Sequence, residues 1–116
     1  MSDAYQKLTK ELSATIGGIR KDIPDVMKGF SAMAGAALED GALTKKNKEM
    51  IALAIGVATH CKGCIGFHIK SLIALGITRE ELVEVLGMSI YMGGGPSLMY
   101  AAEAMQAFEE FSGGNK

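Results

Sequence analysis

The segment THCKGCIGFHIKS, Thr59 to Ser71, places Cys61 and Cys64 three positions apart and His68 four positions beyond the second cysteine. These are the chain's only cysteines, and His60 and His68 are its only histidines. Thiols and imidazoles so spaced can serve as a metal clip, a structural disulfide or a working thiol pair. With both cysteines in the first turn of a helix, residues 61, 64 and 68 fall at about 0°, 300° and 340° around its axis, all on one face. Free amides and about half a positive charge at a helix N-terminus stabilise a thiolate, the reactive form of the thiol. His68, one turn past Cys64, is then placed to take or return a proton, directly or through one water.

An imidazole in that role needs a carboxylate to orient it, and the preceding helix offers Glu49. The helices on either side of His60 should pack as a hairpin, with residues equally far from the turn lying side by side. Glu49 stands about 11 residues before the turn and His68 about 8 after it, roughly 16 and 12 Å away at 1.5 Å per residue. Glu49 also sits where KKNKE gives way to MIALAIGVAT, the setting of a half-buried acid. Taken alone it could pair with Lys45 four positions earlier.

The elements around these residues read as helices. Apolar positions recur at steps of three and four, with no sustained alternation of period two. A first helix is expected from about Asp3 to Arg20, with Leu8, Leu12, Ile16 and Ile19 as a narrow stripe. A second follows Ile23-Pro24 and runs from about Asp25 to Glu39, closed by Asp40-Gly41. Thr44 caps a third, apolar on every side at its end and so expected to be central. The fourth begins near Cys61 and ends at Gly76. Thr78 with Glu81 forms a capping box for a fifth, to about Met92. After GGGPS, Pro96 opens a sixth that ends near Phe111. The expected fold is a single-domain, all-α six-helix bundle.

At 116 residues there is room for one domain, and a formal charge of -1 with scattered basic residues argues against nucleic acid as a partner. No run approaches the ~20 apolar residues of a membrane helix. The N-terminus lacks a basic stretch followed by an apolar one, so a cytoplasmic location is expected. There, two cysteines are poor material for a permanent staple. Hydrophobic residues make up 48% of the chain, eight of them methionine, which suggests that some apolar surface enters a subunit interface. Met88, Met92 and Met99 are read as core or interface fillers.

The spacing of Glu49, Cys61, Cys64 and His68 resembles the signature of AhpD-like alkylhydroperoxidases in the carboxymuconolactone decarboxylase superfamily, over about residues 24–111. The resemblance implies an all-helical subunit in trimers or hexamers, whose C-x-x-C cycles between dithiol and disulfide without a cofactor. It implies that Cys64 attacks a hydroperoxide, Cys61 resolves the sulfenic acid, and His68 with Glu49 relays protons. A dithiol, either a lipoyl group or a thioredoxin-like protein, would restore the pair. Several members carry a histidine just before the second cysteine, where this chain has Gly63; that favours disulfide exchange over fast peroxide reduction. The alternatives are a zinc-binding oligomeric module using Cys61, Cys64, His68 and His60, and lactone decarboxylase-like chemistry, whose practitioners generally lack the cysteine pair.

Overall fold

The computed structural model describes residues 2–113. Six helices follow one another: α1 (Ala4–Asp22), α2 (Pro24–Leu38), α3 (Lys45–Ala58), α4 (Lys62–Ala74), α5 (Arg79–Gly93) and α6 (Gly95–Phe111). No strand occurs among the described residues.

Local chemistry sets the boundaries. Thr44 accepts the Asn47 amide through its hydroxyl at 3.1 Å, and the Asp40 carboxylate takes the Lys45 amide at 2.6 Å, so the entry to α3 is capped twice. Thr78 and Glu81 complete the expected capping box of α5. Gly76, at φ 84°, supplies the left-handed turn between α4 and α5 that a side chain would resist.

α4 packs against α1, α3 and α6, while α5 closes the bundle against α3 and α6. The core is aliphatic: Leu53 and Val57 from α3, Ile65, Ile69 and Leu72 from α4, Leu82 and Leu86 from α5. On α6 the inward positions are Ala101, Ala104 and Ala107, small residues at steps of three that bring its backbone close to its neighbours.

Three expectations are revised by the packing. α3 is central on one side only: Glu49, Leu53, Gly56 and Val57 are buried, whereas Ile51 and Ile55 face outward and Ile55 is 57% exposed. Its apolar character exceeds what one chain can cover. Met88, Met92 and Met99 lie in no core, being 58–75% exposed. In α1 the buried residues are Tyr5 and Thr9 instead of the Leu8-Leu12-Ile16-Ile19 stripe, because α1 docks through its N-terminal half. There the Glu110 carboxylate of α6 accepts the Tyr5 and Gln6 amides at 2.8 and 3.2 Å, serving as a borrowed N-cap.

Candidate active site

The cysteines sit where α3 hands over to α4. Helix α4 starts at Lys62, so Cys61 is its N-cap and not a first-turn residue, and Cys64 is the third residue of the helix. The Cys61 sulfur accepts the Cys64 amide at 3.1 Å, replacing the usual serine or aspartate cap. The two sulfurs are joined as a disulfide, with Cα atoms 5.2 Å apart. An N-cap and the third helical residue point toward each other, so a C-x-x-C at a helix start bonds with little backbone rearrangement.

His60 makes the reversal into the motif. Its φ of 61° is the only left-handed value of a non-glycine residue among those described. Its ring stacks on Tyr100 of α6, with centroids 4.6 Å apart and planes 10° from parallel. Residues held in sparsely populated backbone regions are overdetermined by their surroundings, and this stack is part of what holds His60. The imidazole is thus engaged on α6.

On the other side of Cys64, helix α3 comes unusually close. A Cβ at Gly56 would lie 3.1 Å from the Cys64 Cβ, so glycine lets the two helices meet beside the sulfur. The same approach brings Glu49 level with His68. His68 Nδ1 donates to Glu49 Oε1 at 2.5 Å, with the carboxylate side chain 4% exposed and the imidazole 29%. In the neutral tautomer this bond puts the proton on Nδ1 and leaves Nε2 as the accepting nitrogen. A buried carboxylate without a partner would be costly, and the imidazole is that partner. Glu49 therefore does not pair with Lys45.

Four of the residues singled out by sequence are gathered at one end of the α3–α4 hairpin: Cys61 and Cys64 by covalent bond, Glu49 and His68 by hydrogen bond. His60, the suggested fourth zinc ligand, turns instead to Tyr100. In the disulfide form neither sulfur is a thiolate available to a metal.

Several residues at the site carry no signal of their own in the sequence. Tyr5 donates its phenol proton to Glu103 at 2.7 Å, and Glu103 pairs with Lys62 at 3.3 Å, tying α1, α6 and the start of α4 together. Burial, foremost, and the Glu103 carboxylate raise the Tyr5 pKa above its ordinary value. Leu12 is the other hidden contributor, since a Cβ at Gly63 would meet its Cδ1 at 3.0 Å. A Cβ at Gly66 would lie 2.6 Å from Thr9 Cγ2. Two glycines three apart inside a helix were the available hint of such a close approach.

A family model matches residues 24–107, covering α2 to α5 and most of α6. The chain belongs to the carboxymuconolactone decarboxylase family. It is similar to apo-lpg0406, a carboxymuconolactone decarboxylase family protein from Legionella pneumophila known by crystal structure, at 58% identity and TM-score 0.94 over 96% of this chain and 99% of that one. An uncharacterised protein of Cupriavidus necator is 38% identical over 93% of this chain and 95% of its own length. An uncharacterised protein from a Paracoccus denitrificans cox locus is 30% identical over 87% and 91%. For this carboxymuconolactone decarboxylase family chain, α1 lies outside the span of the family model, yet it lines one flank of the C-x-x-C.

Proposed function

We propose that the protein is a thiol-dependent oxidoreductase that reduces hydroperoxides through a dithiol–disulfide cycle at Cys61 and Cys64. The observation that carries this reading is the Glu49–His68 hydrogen bond, whose buried acid orients an imidazole one helical turn after a bonded cysteine. A permanent staple has no use for that pair.

In the reduced state His68 Nε2 accepts the Cys64 thiol proton, and the thiolate attacks the distal peroxide oxygen. The O–O bond breaks, Cys64 becomes a sulfenic acid, and the alkoxide leaves as alcohol after taking the proton back from His68. The Cys61 thiolate then attacks the Cys64 sulfur, forms the disulfide and expels hydroxide, which is protonated to water. An external dithiol, such as a lipoyl group or a thioredoxin-like protein, exchanges through a mixed disulfide and returns two electrons. Glu49 acts throughout as the positioning residue of the imidazole, and its charge stabilises the imidazolium.

Leu12 bears on which half of this cycle dominates. With its Cδ1 3.0 Å from where a Gly63 Cβ would stand, α1 occupies the space a larger residue would need. A second proton donor cannot be built there, which favours disulfide exchange as the faster activity. Exposed apolar residues on α2 (Val26, Met33), α3 (Ile51, Ile55) and α5 (Met88, Tyr91) favour a homo-oligomer, read as a trimer or hexamer. Among the described residues no helix is long and apolar enough to cross a membrane, in keeping with a cytoplasmic setting.

The decisive experiment follows consumption of an organic hydroperoxide with dithiothreitol as reductant. Wild type turns over and Cys64→Ser does not; an undiminished Cys64→Ser rate overturns the reading.

A further inference from the structure

α1 and α4 run antiparallel in contact, Thr9 against Gly66 and Leu12 against Gly63. The continuation of α1 through Ile16 and Ile19 therefore projects past the tip of α4 that Cys61 caps. There α2 folds back along α1, and the two helices enclose a cleft of about 520 Å³. Its walls are Ile16, Ile19, Met27, Phe30 and Ala34, with Arg20 and Ser31 as the polar residues. That volume falls within the range of small-molecule sites, as does an apolar lining with a few polar groups.

Arg20 gives the cleft its chemical direction. Its guanidinium donates to the Ser31 hydroxyl at 3.2 Å across the two helices, and among the described residues it has no carboxylate partner. A planar cation left without an acid at the edge of an apolar cleft matches a carboxylate in both charge and hydrogen-bonding geometry. Eight residues separate Arg20 from Leu12, about 12 Å along the helix. A chain whose head is held by Arg20 extends past Ile19 and Ile16 toward Leu12, beside Gly63 and between the two cysteines. The outward residues Val26 and Met33 of α2 do not line the cleft, so association of copies through them leaves it open.

We propose that the α1–α2 cleft binds an apolar chain headed by a carboxylate, with Arg20 on the head, and delivers the far end of the chain to the disulfide. The ligand class is a medium-chain fatty acid or its hydroperoxide. Use of the cleft for substrate rests on the peroxide reading above; the existence of the site does not.

The test is titration calorimetry of the full chain in its disulfide form with decanoate, which involves no thiol chemistry and so is independent of the Cys64→Ser result. One saturable site per chain is expected, with affinity reduced at least tenfold in Arg20→Gln, reduced less in Arg20→Lys, and unchanged in Lys28→Gln on the same helix. Absence of saturable binding, as when a second copy fills the cleft, overturns the proposal, and so does equal binding by wild type and Arg20→Gln with circular dichroism showing both folded. For substrate use, a preference for hydroperoxydecanoate over tert-butyl hydroperoxide falls at least tenfold in Arg20→Gln; an unchanged preference refutes that role.

Discussion

Glu49→Gln isolates the charge of the buried acid while keeping its shape. The amide oxygen can still accept the His68 Nδ1 proton, so the imidazole stays in place and only the electrostatic support of its protonated form is lost. At 2.5 Å, with 4% of the acid side chain exposed, the pair is a short hydrogen bond to a desolvated carboxylate. Hydrogen bonds to charged groups contribute about 1.5–3 kcal/mol, against about 1 kcal/mol for neutral ones. At 1.36 kcal/mol per factor of ten, kcat/KM for peroxide should fall about 10- to 150-fold. His68→Ala, which removes the base itself, should cost about 10²–10⁴-fold. Because Glu49 acts through His68, adding Glu49→Gln to His68→Ala should cost little more, a non-additivity that a double-mutant cycle reads directly. Peroxide turnover under saturating dithiothreitol, with thermal unfolding of each variant as the folding control, supplies the numbers. A folded Glu49→Gln enzyme with more than half the wild-type kcat/KM, or fully additive losses in the cycle, would refute the positioning role.

Other outcomes follow from the packing. Gly66→Ala sets a Cβ 2.6 Å from Thr9 Cγ2, whose hydroxyl is tied to the Tyr5 carbonyl at 3.0 Å, so α1 must shift. Against Gly87→Ala, where nothing lies within 4 Å and the helix gains about 1 kcal/mol, it should be about 1–3 kcal/mol less stable in urea titrations, with Thr9→Ser restoring part of the loss. Tyr5→Phe should cost about 1 kcal/mol at neutral pH and abolish an alkaline limb. The raised phenol pKa means that its neutral form supports the fold fully below the unfolded value of 10.0, and that this support declines as pH rises above it, measurable in unfolding free energy from pH 9 to 11. Glu81 has the opposite sign. The Thr78 amide, first, and then Lys46 lower its pKa from 4.5, so its contribution is present above that value and is lost as pH falls through the lowered one. Glu81→Gln should flatten the acid limb of stability below pH 5, whereas Thr78→Ala should cost about 1 kcal/mol by removing the cap.

Helix boundaries were legible because they are written in local chemistry. Thr44, the Thr78–Glu81 box, Gly76 and Pro96 each satisfy or remove a backbone group within a few residues of themselves, so the sequence alone locates the six helices almost to the residue. The pairing of Glu49 with His68 was legible for a related reason. The α3–α4 hairpin is short, and helical rise converts sequence distance from its turn into height along the bundle. The N-cap role of Cys61 was missed by one position, since a sulfur can replace an oxygen as cap acceptor and the pattern of residues does not distinguish the two.

What α1 does was decided only by tertiary structure. Nothing local to Tyr5, Leu12 or Thr9 shows that they meet α4 at Gly63 and Gly66, or that Glu103 and Glu110, about a hundred residues later, hold α1 in place. The turn at His60 and its stack on Tyr100 belong to the same class. The apolar surfaces of α2 and α3 show the limit from the other side: hydrophobicity marks a face for burial without naming what buries it. Periodicity, caps and rise along one helix act over a few ångströms of contiguous chain and can be read from residue types. Contacts between distant segments depend on how all six helices share one volume, and that is settled only when they pack.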